Sequence, residues 1–510
     1  MSKAVRIQAL WRQCSIRNAP QQKQLKTLSR PYSSQSAKPT GSVMPLLGLT
    51  AVLSLLAGYG LATQLSSSPF SESLTPVQYP QKAAANEITR ILGEDSVSYD
   101  NEDIETHGFS DWASTNSAGR AVAIVYPRST EDVSKIATIC SKYGVPIVAF
   151  GAGSSIEGSF ASPHSGIVVD FTYMNNVIAT HPDDMDVVVQ PGVNWVDLNR
   201  RLEAEGLFLP LDPSPTATIG GMVSTNCSGT NAFRYGTMKD WVLNVTVVLA
   251  DGKVIKTRRR PRKTSAGYNL TSLFVGAEGT LGIITEITLK LAVVPKETGV
   301  AVISFPTIKD AAFAATKLIR SGLQLAALEL MDDIQMQVVN RHGSESKKEE
   351  TELWAARKEA LWTMTSIKPD GHALWSTDVA VPISRLAEII ELSKKDAESL
   401  GVFASIVGHV GDGNFHEAMM YDPKNAAQKA AIQDASCKMV ERALEMDGTV
   451  SGEHAIGMGK MAYLVDELGG DTIEVMKRLK QALDPKWILN PGKVFALPDG
   501  SKAIAANRLE

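Results

Sequence analysis

Only four cysteines occur in 510 residues, Cys14, Cys140, Cys227 and Cys437, far apart and with no Cys-x-x-Cys spacing. Neither a disulfide framework nor a zinc-thiolate site is indicated, and thiol chemistry is not where to look for function. Acids are missing from the first 71 residues, which hold eight Lys and Arg. The rest of the chain therefore carries 43 basic against 55 acidic residues, about −12, where the whole chain sums to −4. An acidic body argues against nucleic acid and suits a basic protein partner. Charge of either sign is missing from 42–70. Within that span, the mostly apolar 43–65 is long enough to cross about 30 Å of hydrocarbon and reads as one transmembrane helix. Residues 1–38, rich in Arg, Lys, Ser and Gln, have the composition of a mitochondrial transit peptide. The positive-inside tendency then keeps the basic flank in the matrix and puts the body in the intermembrane space, anchored to the inner membrane. A long cleavable signal is the competing reading, with a soluble body in that space or in the matrix. The Ser- and Pro-rich 66–85 reads as a linker.

What is present is an ordinary globular composition, 44% hydrophobic and 21% charged, with room for two or three domains. From 121 onward strands and helices alternate: strand 121–126, helix 129–143, then strand 146–150 running into Gly151-Ala152-Gly153-Ser154-Ser155. The free backbone N–H groups of such a loop can face a pyrophosphate, although a bare turn has the same composition. A dinucleotide fingerprint would need Gly at 156, where Ile156 stands, so nicotinamide is disfavoured. Strands at 166–170 and 186–190 and a helix at 193–205 follow. The segment 210–229 carries Thr218, Gly220, Gly221, Thr225, Ser228 and Gly229, and it precedes Tyr235. Its small residues and hydroxyls let backbone approach a flat ligand and supply donors to its polar edge. Strands at 242–250 and 283–291 flank a further loop with Gly279, Gly282 and Ile284. Beyond Pro295 the pattern changes to strand 300–305, helix 307–321, helix 353–365, strand 377–381, helix 384–400 and helix 425–445.

Between the last two helices, two apolar runs flank Gly411-Asp412-Gly413. Asp-Gly is a strong signal for a two-residue hairpin loop, which would set His409 directly opposite His416, with Asn414 on the same face. Opposed side chains about 5 Å apart suit two imidazoles closing on one ion. Glu453 and His454, adjacent between glycines in 451–457, offer a third ligand and a free base. Two buried, hydrogen-bonded histidines would be the simpler account. The register and the Glu-His neighbours favour a His₂Glu metal site with an open position.

The loops at 151–155, 218–229, 235–240 and 279–284, taken in order, resemble the FAD-binding domain of the vanillyl-alcohol oxidase class of flavoproteins. The later αβ pattern, and a closing segment that includes Asn490, Pro491, Gly492 and Lys493, resemble the D-2-hydroxy-acid dehydrogenases of that class. The resemblance spans about 76–497 and implies an α+β fold. Its parts would be a two-subdomain, PCMH-type FAD-binding domain (86–297), an antiparallel αβ substrate cap (298–460), and a segment (461–497) packing back on the flavin domain. It also implies FAD on the loops named above. No His lies in 145–161, so the flavin is expected to be non-covalent. By the same resemblance His409, His416 and Glu453 bind Zn²⁺ or Mn²⁺, and His454 is the base. Arg357 holds a substrate carboxylate with help from Asn414, and Trp354, Trp362 and Trp375 are candidates for an apolar wall. The implied reaction is oxidation of D-lactate, with cytochrome c as a basic electron acceptor. D-2-hydroxyglutarate or another D-2-hydroxy acid is the alternative substrate. A non-catalytic flavoprotein and a non-redox flavoenzyme of ether-lipid synthesis are alternatives from other classes, disfavoured by the Glu453-His454 and His409/His416 pairs respectively.

Overall fold

The computed structural model describes residues 80–111, 113–342, 354, 357–358 and 360–498. The expected transit peptide (1–38) and apolar span (43–65) lie outside them. Among the described residues, no helix is long and apolar enough to cross a membrane. The expected linker ends early, because helix Gln81–Leu92 starts inside it. Ala84, Ala85 and Ile88 are buried there and pack in one core with Val133, Ile136, Ala137 and Cys140 of helix Thr130–Tyr143. That second helix begins where the Ser129 side chain accepts from the Asp132 N–H, and it ends at the left-handed Gly144.

The fold is α+β, and its N-terminal half is built on two sheets. In the first, strands run in the order Val97–Ser98, Ala123–Val125, Ile167–Asp170, Ile147–Phe150, and all but the outermost pair are parallel. Ile167–Asp170 is buried at every position, as a parallel strand covered on both faces must be. The second sheet is antiparallel, ordered Val177–His181, Asp186–Val189, Ile283–Lys290, Val242–Val248, Val254–Lys256. Its core gathers Val187, Val245, Ile287 and Leu289 with Ile219, Met222 and Val223 of helix Ile219–Thr225. The chain's last segment returns to the first sheet, where the Ile147 N–H donates to Ile488 and Ile147's carbonyl accepts from Asn490.

The cap is a separate antiparallel sheet, with Leu330–Met331, Ala404–His409, Asn414–Tyr421 and Ala373–Ser376 side by side. Val379–Ala380 also pairs with the third of these strands. Helices Leu386–Leu400 and Ala426–Glu445 cover one face. The expected strand at 300–305 does not form, and Val302 and Ile303 are 60% and 63% exposed. β-Propensity acts through packing on a sheet face, and this apolar run finds no such face.

Candidate active site

Between the two sheets of the N-terminal half lies a cleft of about 1200 Å³, counting its solvent-open mouth. Gly151, Ala152, Gly153, Ser154 and Ser155 line it from one side, and Thr218, Gly220, Gly221 and Thr225 from another. Gly279, Gly282 and Ile284 line it from the third loop. Four of these glycines, Gly151, Gly153, Gly220 and Gly282, leave no space for a side chain. A Cβ on Gly151 would fall 2.6 Å from Thr218 Oγ1, and Gly153 has φ +63 with the Phe150 ring 2.8 Å from where a Cβ would sit. The Thr218 hydroxyl is buried without a hydrogen-bond partner among the described residues. A polar ligand in the cleft would satisfy it.

Three other residues named from sequence with this group do not line the cleft. The Ser228 hydroxyl and Gly229 N–H donate to Glu453 Oε2, at 2.6 and 3.1 Å. Tyr235 packs edge-on against Phe208 and Trp241. Glu453 and His454, expected as part of the cap site, do line the cleft. These two residues of the cap therefore open onto the cavity of the N-terminal half.

The cap hairpin differs from its expected register. His409 pairs with Asn414 and Val407 with His416, so the loop has four residues, 410–413, and not two. Tertiary contacts overrule the local Asp-Gly preference here. The Gly411 N–H donates to Leu328, the Gly413 carbonyl accepts from Val381, and a Cβ on Gly411 would strike the Phe233 ring at 2.4 Å. The slip is by two residues, and side chains alternate with period two, so His409, Asn414 and His416 still share a face. The His409 and His416 rings lie 5.5 Å apart as diagonal neighbours.

On that face the donor atoms converge. His409 Nε2 and His416 Nε2 lie 3.2 and 3.1 Å from Glu453 Oε1, and one ligand atom from each of these residues falls within 4.8 Å of the others. The tautomers follow from the partners on the far side of each ring. His409 Nδ1 is 2.8 Å from Glu329 Oε1, and His416 Nδ1 is 3.2 Å from the Thr377 carbonyl. Both partners only accept, so each Nδ1 carries a proton. His416 Nε2 is buried, faces the Glu453 carboxylate, and has no hydrogen-bond partner among the described residues. Burial disfavours charge on His409, but Glu329 and Glu453 overcome it and hold the imidazole well above its ordinary value. Burial likewise opposes ionisation of Glu453, yet the two histidines hold it well below the usual carboxylate range. Two imidazoles and a carboxylate, each able to offer a lone pair as an acceptor, thus face one point and could hold a cation there.

Around this cluster stand the remaining groups. His454, its side chain 34% exposed, has Nε2 3.9 Å from Glu453 Oε1 and its ring 5.1 Å from that of His416. Burial lowers its basicity, and the Asp378 and Glu453 carboxylates only partly restore it. Arg357 is 7% exposed, with Nη2 in a 2.6 Å ion pair to Glu329 Oε2 that lacks hydrogen-bond alignment. Its Nε is buried and has no hydrogen-bond partner among the described residues. Asn414 Nδ2 donates to Asp378 Oδ1 and the Val379 carbonyl. Trp375 is corrected by its register. It pairs with Met419 on the opposite face and packs against Tyr421, so it is core and not a wall of this site. Trp362 is 43% exposed. Sequence reading missed Glu329, which joins His409 to Arg357, and Asp378. Neither has a motif around it that marks a carboxylate facing a histidine 80 or 38 residues downstream.

The fold and the two sites define a class, the FAD-linked oxidases. Residues 121–258 match the family model described as FAD binding domain, and 294–349 with 342–494 match that described as FAD linked oxidases, C-terminal domain. Within that class, the chain belongs to the family of mitochondrial D-lactate dehydrogenases of the cytochrome type. It is 42% identical over 473 residues to D-lactate dehydrogenase (cytochrome), mitochondrial, of Arabidopsis thaliana, covering 83% of this chain and 82% of that one. It is 39% identical to the probable D-lactate dehydrogenase, mitochondrial, of Danio rerio, covering 85% and 95%. Among solved structures, 4-ethylphenol oxidase from Gulosibacter chungangensis superposes with TM-score 0.68 at 19% identity, covering 82% of this chain and 97% of that one. An alkyldihydroxyacetonephosphate synthase superposes with TM-score 0.62 at 20% identity, covering 82% and 86%. These two likenesses concern the fold alone.

Proposed function

We propose that this protein oxidises D-lactate to pyruvate in the mitochondrion and passes the electrons through FAD to cytochrome c. The observation that carries the reading is the convergence of the His409, His416 and Glu453 acceptors beside His454, at the mouth of the glycine-lined cleft. Non-covalent FAD fits that cleft, which has no histidine among its lining residues other than His454. FAD would supply the acceptor for the hydride from C2, and Zn²⁺ or Mn²⁺ on the three acceptors would supply a Lewis acid that acidifies the hydroxyl.

The chain's own residues do the rest. His454, kept neutral near pH 7 by burial, takes the hydroxyl proton. Arg357 offers its unused Nε, as a charged donor, to the substrate carboxylate. Asn414 serves this site by holding Asp378 with its amide protons. Ser376 pairs with Ala418 and so lies on the His416 face. A lysine at this position would meet the second carboxylate of 2-hydroxyglutarate, and a serine suits the methyl of lactate. The acidic body fits a basic cytochrome, whose encounter it would accelerate at low salt. An inner-membrane anchor at 43–65, with the body in the intermembrane space, completes the proposal.

The test is anaerobic. Purified yellow protein should bleach with D-lactate and then reduce cytochrome c at a rate that falls with ionic strength. No bleaching, or a kcat/KM that favours D-2-hydroxyglutarate, would overturn the substrate; salt-insensitive cytochrome reduction would overturn the acceptor.

A further inference from the structure

Asp378 lies just beyond the cap's edge strand Ala373–Ser376, is 1% exposed, and enters the reading above only as the partner of Asn414. Its two oxygens are fully engaged, and the partners come from both halves of the candidate site. Oδ1 accepts from Asn414 Nδ2 at 2.9 Å and lies 3.7 Å from His416 Nδ1, which belong to the hairpin. Oδ2 accepts from the backbone N–H of Glu453 at 3.1 Å and of His454 at 3.0 Å, and from the Ser451 hydroxyl at 2.9 Å. All three belong to the loop that carries the third acceptor and the base.

The hairpin and this loop are separate in sequence. Among the described residues, the pairing between the loop's approach and the cap sheet is the single Ala380–Thr449 bridge. The loop itself is irregular, and Ala455 sits at φ +65 immediately after His454. Ser451 Oγ also lies 2.9 Å from the Ala455 carbonyl, so it spans the turn that presents His454. Something must hold Glu453 and His454 at a fixed distance from His416, and Asp378 is the group that touches all of them.

Its charge is balanced locally. Lys460 Nζ lies 3.4 Å from Asp378 Oδ2, donates to the Asp378 carbonyl at 2.5 Å, and sits 3.4 Å from Glu157 Oε1 on the far side. A buried carboxylate with a paired cation and four further donors is ordered, and it can act as a rigid reference point.

We propose that Asp378 is a positioning residue. It registers the Glu453-His454 loop against the His409/His416 hairpin, so that the third acceptor and the base are set by one carboxylate. The inference rests on the proposed reading of this site and gives Asp378 a role, positioning the base loop, that the reading does not assign. It also distinguishes Asp378 from Glu329, which supports His409 and Arg357 but makes no contact with the base loop in the hydrogen bonds described.

Asp378→Asn keeps the shape and replaces one acceptor with a donor, which then faces Asn414 Nδ2 or the two backbone N–H groups. Flavin content should be unchanged, because no cleft-lining residue is altered. The limiting rate of flavin reduction by D-lactate should fall ten- to a hundredfold, with KM within about threefold. The primary isotope effect with 2-deuterated D-lactate should rise towards its intrinsic value. Independently of turnover, the Kd of the flavin-bound protein for Mn²⁺, measured by calorimetry, should weaken about tenfold or more, since Glu453 is no longer held.

Ser451→Ala is the second variant and decides the question if Asp378→Asn does not fold. It keeps the carboxylate and removes one of its loop contacts, and should lower the same rate severalfold with KM unchanged. A folded Asp378→Asn protein with wild-type reduction rate and Mn²⁺ affinity, or a wild-type rate in Ser451→Ala should that variant be needed, overturns the inference. If the wild-type protein fails to oxidise D-lactate while Asp378→Asn still weakens Mn²⁺ binding, the proposed substrate falls and the positioning role stands.

Discussion

The cleft of the flavin domain and the cluster of the cap are built from opposite materials. The cleft is made of backbone and small side chains, in loops where Gly151, Gly153, Gly220 and Gly282 leave no room for a Cβ. The cluster is made of ionisable side chains, Glu329, His409, His416, Glu453 and Asp378, largely removed from water and paired in good part with one another. A backbone-built site tolerates the loss of any one side chain. A site made of mutually compensating charges does not, because removing one member leaves another buried and unpaired. Glu453 belongs to both, with one oxygen among the acceptors and the other held by Ser228 and Gly229 of the flavin domain.

The sharpest test of that contrast is His454→Ala. It should lower the rate of flavin reduction by about 10²–10⁴-fold while leaving flavin content and substrate affinity nearly intact. Glu453→Ala should instead lose metal, and if the two variants exchange these behaviours then base and ligand are assigned the wrong way round. Chelation comes next. Removing the metal should abolish most turnover with the flavin retained, as read by the visible spectrum after gel filtration. Flavin release without unfolding would show that the two regions are one site.

A smaller effect is expected from Ser376→Lys. Placing a cation on the His416 face should raise the ratio of kcat/KM for D-2-hydroxyglutarate over D-lactate about tenfold, because a buried second carboxylate then has its partner. An unchanged ratio would mean that the substrate's distal end does not reach Ser376.

The smallest effect tests the flavin-domain side. Lys493 is buried, donates to the Ala161 carbonyl and Asn490 Oδ1, and burial pushes its ammonium down to about 7, against the pull of Glu278. Its folded value is below the unfolded one, near 10.4, so between about pH 7 and 10 the unfolded chain binds the extra proton and stability rises with pH. Lys493→Met should remove that contribution and flatten the rise by up to about 1.4 kcal/mol per pH unit, measured by urea unfolding at pH 7.5, 8.5 and 9.5. An unchanged slope would show that the lysine titrates normally.

Much of the cleft was legible because its signal is local. Glycines, small hydroxyl residues and the strands around them announce close backbone approach wherever the chain goes. Helix starts were legible for the same reason, with Ser129, Thr307 and Asn425 each capping the helix expected beside it. The roles of Ser228 and Gly229 were not, since their partner Glu453 lies more than 220 residues away. Nor was the failure of 300–305 to form a strand, because a strand exists only where a neighbour accepts it.

By itself the sequence determined that two histidines and an asparagine of one hairpin share a face, because alternation with period two survives a two-residue slip. It also determined the glycine-bearing loops that line the cleft, the adjacency of Glu453 to His454, and the acidity of the body. Only the tertiary structure decided the four-residue loop, through the Phe233 ring and the Leu328 and Val381 backbone. It alone brought Glu329 and Asp378 to the imidazoles and turned Trp375 away from them. The physical reason is range. Backbone preference and side-chain alternation act over a few residues, whereas a buried charge finds its partner wherever folding places one.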